Sequence, residues 1–123
     1  MNGLRHKSDE NWLAAETCFQ NGMVNAAASR LYYSVFQAVR YSDAMRALPV
    51  RVPKDSSPKH HAAERAVGSC GADSRRAKRH FAKLLILRET ADYDPEPVQE
   101  EQLQPCFETA RRIRSFFIGR VTS

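Results

Sequence analysis

The apolar positions between Asn25 and Tyr41 do not scatter along the chain. At about 100° per residue, Ala27, Ala28, Leu31, Tyr32, Val35, Phe36, Ala38 and Val39 fill one wide arc of a helix. Arg30, Tyr33, Ser34, Gln37 and Tyr41 share the opposite arc. An apolar arc that wide predicts a helix buried around most of its circumference. The remaining strip carries an arginine, two tyrosines and an amide where a plain solvent face would carry Lys and Glu. Such groups make directed hydrogen bonds and flat contacts. They serve a binding face, or a helix that ties its tyrosine hydroxyls to neighbouring backbone.

The same pattern places the other elements. A first helix is predicted from near Ser8 or Asp9, either of which can cap it, with Trp12, Ala15, Phe19 and Met23 at helical spacing. Asn21-Gly22 ends it, with Gly22 in the left-handed position. The central helix runs from about Val24 to Ala47. Pro49, Pro53 and Pro58 then exclude a regular helix, so a proline-rich loop is expected at about 48–58. A short helix covers Lys59 to Val67, and Gly68-Ser69-Cys70-Gly71 stops it. A fourth helix starts near Ser74, with Ala77, Phe81, Leu84 and Leu85 as its apolar residues and Ile86 and Leu87 beside them. The fifth carries Leu103, Phe107, Ala110, Ile113 and Phe117. Asp94-Pro95 reads as its cap, Pro97 fits its first turn, and Pro105 kinks it or moves its start to about Gln104. No segment alternates as a strand does. The predicted fold is all-α, an antiparallel bundle of four long helices plus a short one, forming a single domain over residues 1–123.

Composition narrows the chemistry. Cys18, Cys70 and Cys106 are odd in number and widely spaced, which suits reduced thiols in a cytoplasmic protein. No apolar run approaches the ~20 residues of a membrane span, and the N-terminus lacks a signal-peptide core. His60 and His61 are adjacent, so a helix turns them about 100° apart, and no HxxxH, ExxH or CxxC accompanies them. No metal or cofactor is therefore expected. Phosphate-loop and hydrolase-elbow motifs are missing too. The net charge of +5 and pI near 9.4 permit a polyanionic partner without demanding one. Two basic runs concentrate that charge: Arg75, Arg76, Lys78, Arg79 and Lys83 around His80, and Arg111, Arg112, Arg114 and Arg120. Each is either a solvated face or a phosphate-contacting one.

The segment Arg88-Glu89-Thr90-Ala91-Asp92-Tyr93-Asp94 is the most informative. Extending the stripe of Ala77, Phe81 and Leu84 by four lands on Arg88, so that arginine points along the core-facing side, where a lone charge is costly. Asp92, four residues on, shares the face and can pair with it.

Arg30-x-Tyr32-Tyr33-Ser34-x-Phe36 followed by Arg88-x-x-Ala91-Asp92-Tyr93 resembles the HEPN family, in particular its small stand-alone branch. The resemblance covers nearly the whole chain and implies a dimerising helical bundle. Many HEPN domains are metal-independent endoribonucleases with an Arg-x4–6-His motif in a cleft across the dimer. They are commonly encoded beside a small nucleotidyltransferase as a toxin–antitoxin or defence pair. Carried onto this sequence, the motif's arginine is Arg88, and Tyr93 stands where the histidine would be. Histidine titrates near neutrality, whereas tyrosine is a poor base at its ordinary pKa near 10. Arg75 to His80 also fits the literal pattern but lies a helix length too early.

Two functional readings follow. In the first, the protein is a homodimer that binds or acts on RNA. Arg88, Asp92 and Tyr93, with His80 as alternative proton carrier, form the catalytic set. Arg30, Tyr33, Arg75, Arg76 and Arg79 bind the nucleic acid. In the second, it is a non-catalytic module that binds a nucleotide or a partner protein.

Overall fold

A computed structural model describes residues 3–45, 59–68 and 74–122. They form five helices: α1 (Leu4–Gln20), α2 (Val24–Ala44), α3 (Lys59–Val67), α4 (Ser74–Tyr93) and α5 (Glu100–Thr122). No strand occurs among the described residues. The architecture is the all-α bundle that the periodicity predicts. The proline-rich stretch at 48–58 and Cys70 lie outside the described residues.

α1 ends where glycine permits it. Gly22 has φ 77°, the Gly22 N–H reaches Phe19 O at 3.1 Å, and the Met23 N–H reaches Cys18 O at 2.8 Å. This pair of bonds is a Schellman closure, which satisfies carbonyls the helix would otherwise leave open. The turn folds α2 back along α1. α2 touches each of the other four helices and is the axis of the bundle. Every residue of its predicted apolar arc is buried, with Leu31, Tyr32 and Val35 at 0% exposure. Phe81 and Leu84 from α4, and Leu103, Ile113 and Phe117 from α5, close on it. Ala63, Ala66 and Val67 of α3 complete the core. Each large apolar side chain so buried contributes roughly 1.5–3 kcal/mol before ordering entropy is subtracted.

The structure departs from the sequence pattern at definite points. α1 begins at Leu4, not near Ser8 or Asp9. Ser8 sits inside the helix, fully buried, because its hydroxyl is used by α2. Ser34, on the polar arc of α2, is buried for the complementary reason. Met23 and Ile86, set among apolar stripes, are 56% and 61% exposed. α5 begins at Glu100, ahead of Pro105. The Gln102 and Leu103 N–H groups donate to Gln99 O, and Gln102 Oε1 accepts the Gln99 N–H at 2.9 Å, a reciprocal cap. Pro105 is exposed in the second turn, so the helix continues through it for the loss of one backbone bond. Asp94 does not cap α5; its Oδ1 accepts the Glu96 N–H at 3.0 Å and makes a local turn.

Candidate functional site

Arg88 occupies the core-facing position its spacing predicts. Its side chain is 11% exposed. The guanidinium carbon lies 5.6 Å from the Tyr32 ring centre and 5.5 Å from that of Tyr33. A guanidinium can be held in such a place because aromatic faces attract it and it is weakly hydrated. Its Nη1 donates to Tyr33 Oη at 3.3 Å and to Asp92 Oδ2 at 3.4 Å. Its Nε is buried and has no partner among the described residues. The Tyr32 hydroxyl is held neutral: burial pushes its pKa well above 10, and the nearby Arg88 charge offsets only part of that rise. Asp92 is 37% exposed, and its Oδ1 accepts the Ser29 hydroxyl at 2.8 Å. Ser29, Asp92, Arg88 and Tyr33 thus form one polar chain between α2 and α4.

Above this chain lies an open depression of about 440 Å³. Asn25, Ser29, Arg30 and Tyr33 line it from α2, and Ala91 and Asp92 from α4. Arg30 is exposed, with Nη1 donating to Asn11 Oδ1 at 3.2 Å. Asn11 Nδ2 in turn donates to Gln37 Oε1 at 2.8 Å. The polar arc of α2 is therefore a continuous strip with a cation at its rim and a second beneath its floor. Such a surface can hold an anion and a flat ring side by side.

The sequence candidates separate into three places. Arg30, Tyr33 and Asp92 line this depression, and Arg88 braces Tyr33 and Asp92 from behind it. Tyr93 does not. Five positions after Arg88, it is turned about 140° around α4. It is 79% exposed and lines a second depression of about 270 Å³ with Ile86, Glu89, Thr90 and Asp94. Arg75, Arg76 and Arg79 are exposed on the first half of α4. His80 faces α5, where its Nδ1 shares a short hydrogen bond with Thr109 Oγ1. Burial lowers the His80 pKa below its ordinary 6.5, and Arg76, Lys83 and Arg79 push it the same way.

Asn25 and Ser29 were not singled out in the sequence, although Asn25, Ser29 and Tyr33 recur every four residues as a polar stripe. Asn25 Oδ1 accepts the Val98 N–H at 2.8 Å and fastens the α4–α5 connection beside the depression. Among the described residues, no group of three or more His, Cys, Asp or Glu is placed to hold a metal ion. Cys18 and Cys106 are free thiols; burial raises the Cys106 pKa, with Lys83 opposing. No described helix is long and apolar enough to cross a membrane.

Fold and site together define a small α-helical bundle with a polar, arginine-centred depression between its second and fourth helices. The HEPN domain model matches residues 1–121, and the chain belongs to the HEPN family. No curated protein matches it.

Proposed function

We propose that this chain is a homodimeric RNA-binding protein, one half of a toxin–antitoxin or defence pair whose other half is a nucleotidyltransferase. The observation that carries the RNA reading is the placement of Arg88. A guanidinium pinned between two tyrosines and a carboxylate braces Tyr33 and Asp92, which line a depression whose rim carries an exposed Arg30. Arg30 supplies the phosphate contact, Tyr33 the flat contact, and Arg88 with Asp92 fixes the tyrosine between them. Membership in a family associated with ribonuclease and nucleotide-related functions supports this use of the cleft.

The exposed Ile86 and Tyr93 share one face of α4 and support the homodimer part of this reading, as a surface for a twofold contact.

Fluorescence anisotropy with a labelled single-stranded RNA over a salt series tests binding. Arg30→Ala should weaken binding and lower the salt slope by about 0.7 for one lost phosphate contact. Absence of binding by the wild type at low salt would leave the nucleotide- or partner-binding module as the better account. Relief of growth arrest by a co-expressed neighbouring nucleotidyltransferase would test the pairing.

A further inference from the structure

The α4–α5 seam carries a second polar cluster that the depression does not use. Arg76, His80 and Lys83 follow one another at spacings of four and three, so they form one stripe on α4, with Arg79 beside it. Arg76, Arg79 and Lys83 are exposed, and none has a carboxylate partner among the described residues. His80 is fixed in the middle by the bond from its Nδ1 to Thr109 Oγ1. Thr109 is buried, so the ring has a set orientation and only Nε2 remains to meet a ligand.

Groups facing His80 from α5 add no free negative charge. Cys106, a turn before Thr109, is a buried thiol kept neutral. Arg112, a turn after it, pairs with Glu108 at 3.4 Å, and Glu108 also accepts Arg111 at 2.9 Å. The described charges acting on His80 are thus all positive: Arg76, Lys83 and Arg79. Three cations with no carboxylate partner among the described residues repel one another around an oriented imidazole, and an anion relieves that repulsion.

We propose that Arg76, His80 and Lys83, with Arg79, form a phosphate-binding site for the RNA backbone that grips more tightly as His80 takes up a proton. The proposal rests on the RNA reading above and extends it to a second surface. Its chemistry is simple. Burial, and after it the neighbouring cations, favour the neutral imidazole. A phosphodiester bridging Arg76 and Lys83 cancels that field and accepts a hydrogen bond from Nε2–H. The protonated ring donates from both nitrogens at once, through Nδ1–H to Thr109 and through Nε2–H to the phosphate. A rise of about one pKa unit on binding corresponds to about tenfold tighter binding at acid than at alkaline pH.

The test has two arms. The first follows the His80 ring protons by NMR in the wild type, titrated with and without inorganic phosphate at constant ionic strength. Phosphate should raise the His80 pKa. The second measures single-stranded RNA binding from about pH 8 down to about pH 5.5 in the wild type, His80→Asn and Arg76→Ala. His80→Asn keeps a side-chain partner for Thr109 and removes the titration. Its affinity, whatever its level at the alkaline end, should stay flat toward the acid end, where the wild type gains up to about tenfold. Arg76→Ala should reduce affinity at every pH. A His80 pKa unmoved by saturating phosphate, or an acid gain that persists in His80→Asn, overturns the site. RNA that fails to bind at any pH while phosphate still moves His80 would defeat the RNA reading and leave the anion site standing.

Discussion

Ser8 and Ser34 exchange hydrogen bonds across the α1–α2 interface. The Ser8 hydroxyl donates to Ser34 O at 2.6 Å, and the Ser34 hydroxyl donates to Ser8 O at 2.8 Å. Both residues are completely buried, and the Ser8 oxygen also accepts Arg114 Nε at 3.1 Å. Small side chains let the two helices approach closely at this point, and the reciprocal bonds satisfy groups that would otherwise be buried without partners. Ser8→Ala should cost about 1–3 kcal/mol, because it removes one bond of the pair and strands Arg114 Nε. Ser8→Val should cost more, since added volume forces the helices apart. Thermal melts of the two variants check this; equal stability to wild type would mean that the pair is idle.

Arg114 extends that knot to α5. It bonds Asp9 as well as Ser8, is 13% exposed, and lies 5.4 Å from the Trp12 ring centre. Arg114→Lys keeps the charge but loses the fork that reaches both partners. A loss on the order of 1 kcal/mol in urea unfolding is expected. The Asp9→Asn, Arg114→Lys double variant should fall short of the sum of the singles.

Breaking the Arg88–Asp92 pair should be milder than for a fully buried pair, which costs about 3–5 kcal/mol. Asp92 is 37% exposed and keeps its Ser29 bond, so Arg88→Ala leaves it solvated. The expected loss is about 1–2 kcal/mol, mostly from the emptied space between Tyr32 and Tyr33. Arg88→Lys should recover little of it. RNA binding by Arg88→Ala should drop further than stability explains, as Tyr33 loses its support; a variant that melts low yet binds normally would confine Arg88 to a structural role.

Ile86 and Tyr93 are 61% and 79% exposed on one face of α4. If that face is the twofold contact, Ile86→Asp should give a folded monomer, because a buried charge there meets its own copy across the axis. Sedimentation of both proteins at high micromolar concentration, with circular dichroism as a control for folding, decides the point. A wild type that sediments as a monomer, or an Ile86→Asp variant that stays dimeric, rejects this interface.

His80 sets a pH signature on stability itself. Its folded pKa lies below the ordinary 6.5 that the unfolded chain restores. As pH falls through 6.5 the unfolded state takes up the proton first, so unfolding gains and stability declines until the folded pKa is passed. Stability therefore rises with pH across that window, and His80→Asn should remove this part of the slope. Chemical denaturation at closely spaced pH values checks it; an unchanged slope assigns the effect to another group.

The pattern of apolar positions determined most of the architecture by itself. The arc of α2 from Ala27 to Val39 is buried as its periodicity dictates, Gly22 takes the left-handed turn, and Lys59–Val67 is helical. These features are legible because helical period and glycine geometry are local properties of the chain. The i, i+4 pairing of Arg88 with Asp92 is equally local.

What only the tertiary structure decided are the relations between distant segments. Ser8 looked like a cap because a serine near a helix start usually caps it, but its partners are Ser34 and Arg114, from two other helices. Ser34 looked exposed because its own helix offers no reason for burial. Met23 looked like core because spacing cannot say which face a neighbour will cover. The site divides along the same line. Arg88, Asp92 and Tyr93 read as one motif in a run of seven residues, yet helical rotation turns Tyr93 into a different depression. Ser29 joins Asp92 across sixty-three positions of sequence, and His80 meets Thr109 across twenty-nine. Hydrogen bonding is short-ranged in space and indifferent to separation along the chain, so those partners became visible only when the helices were packed together.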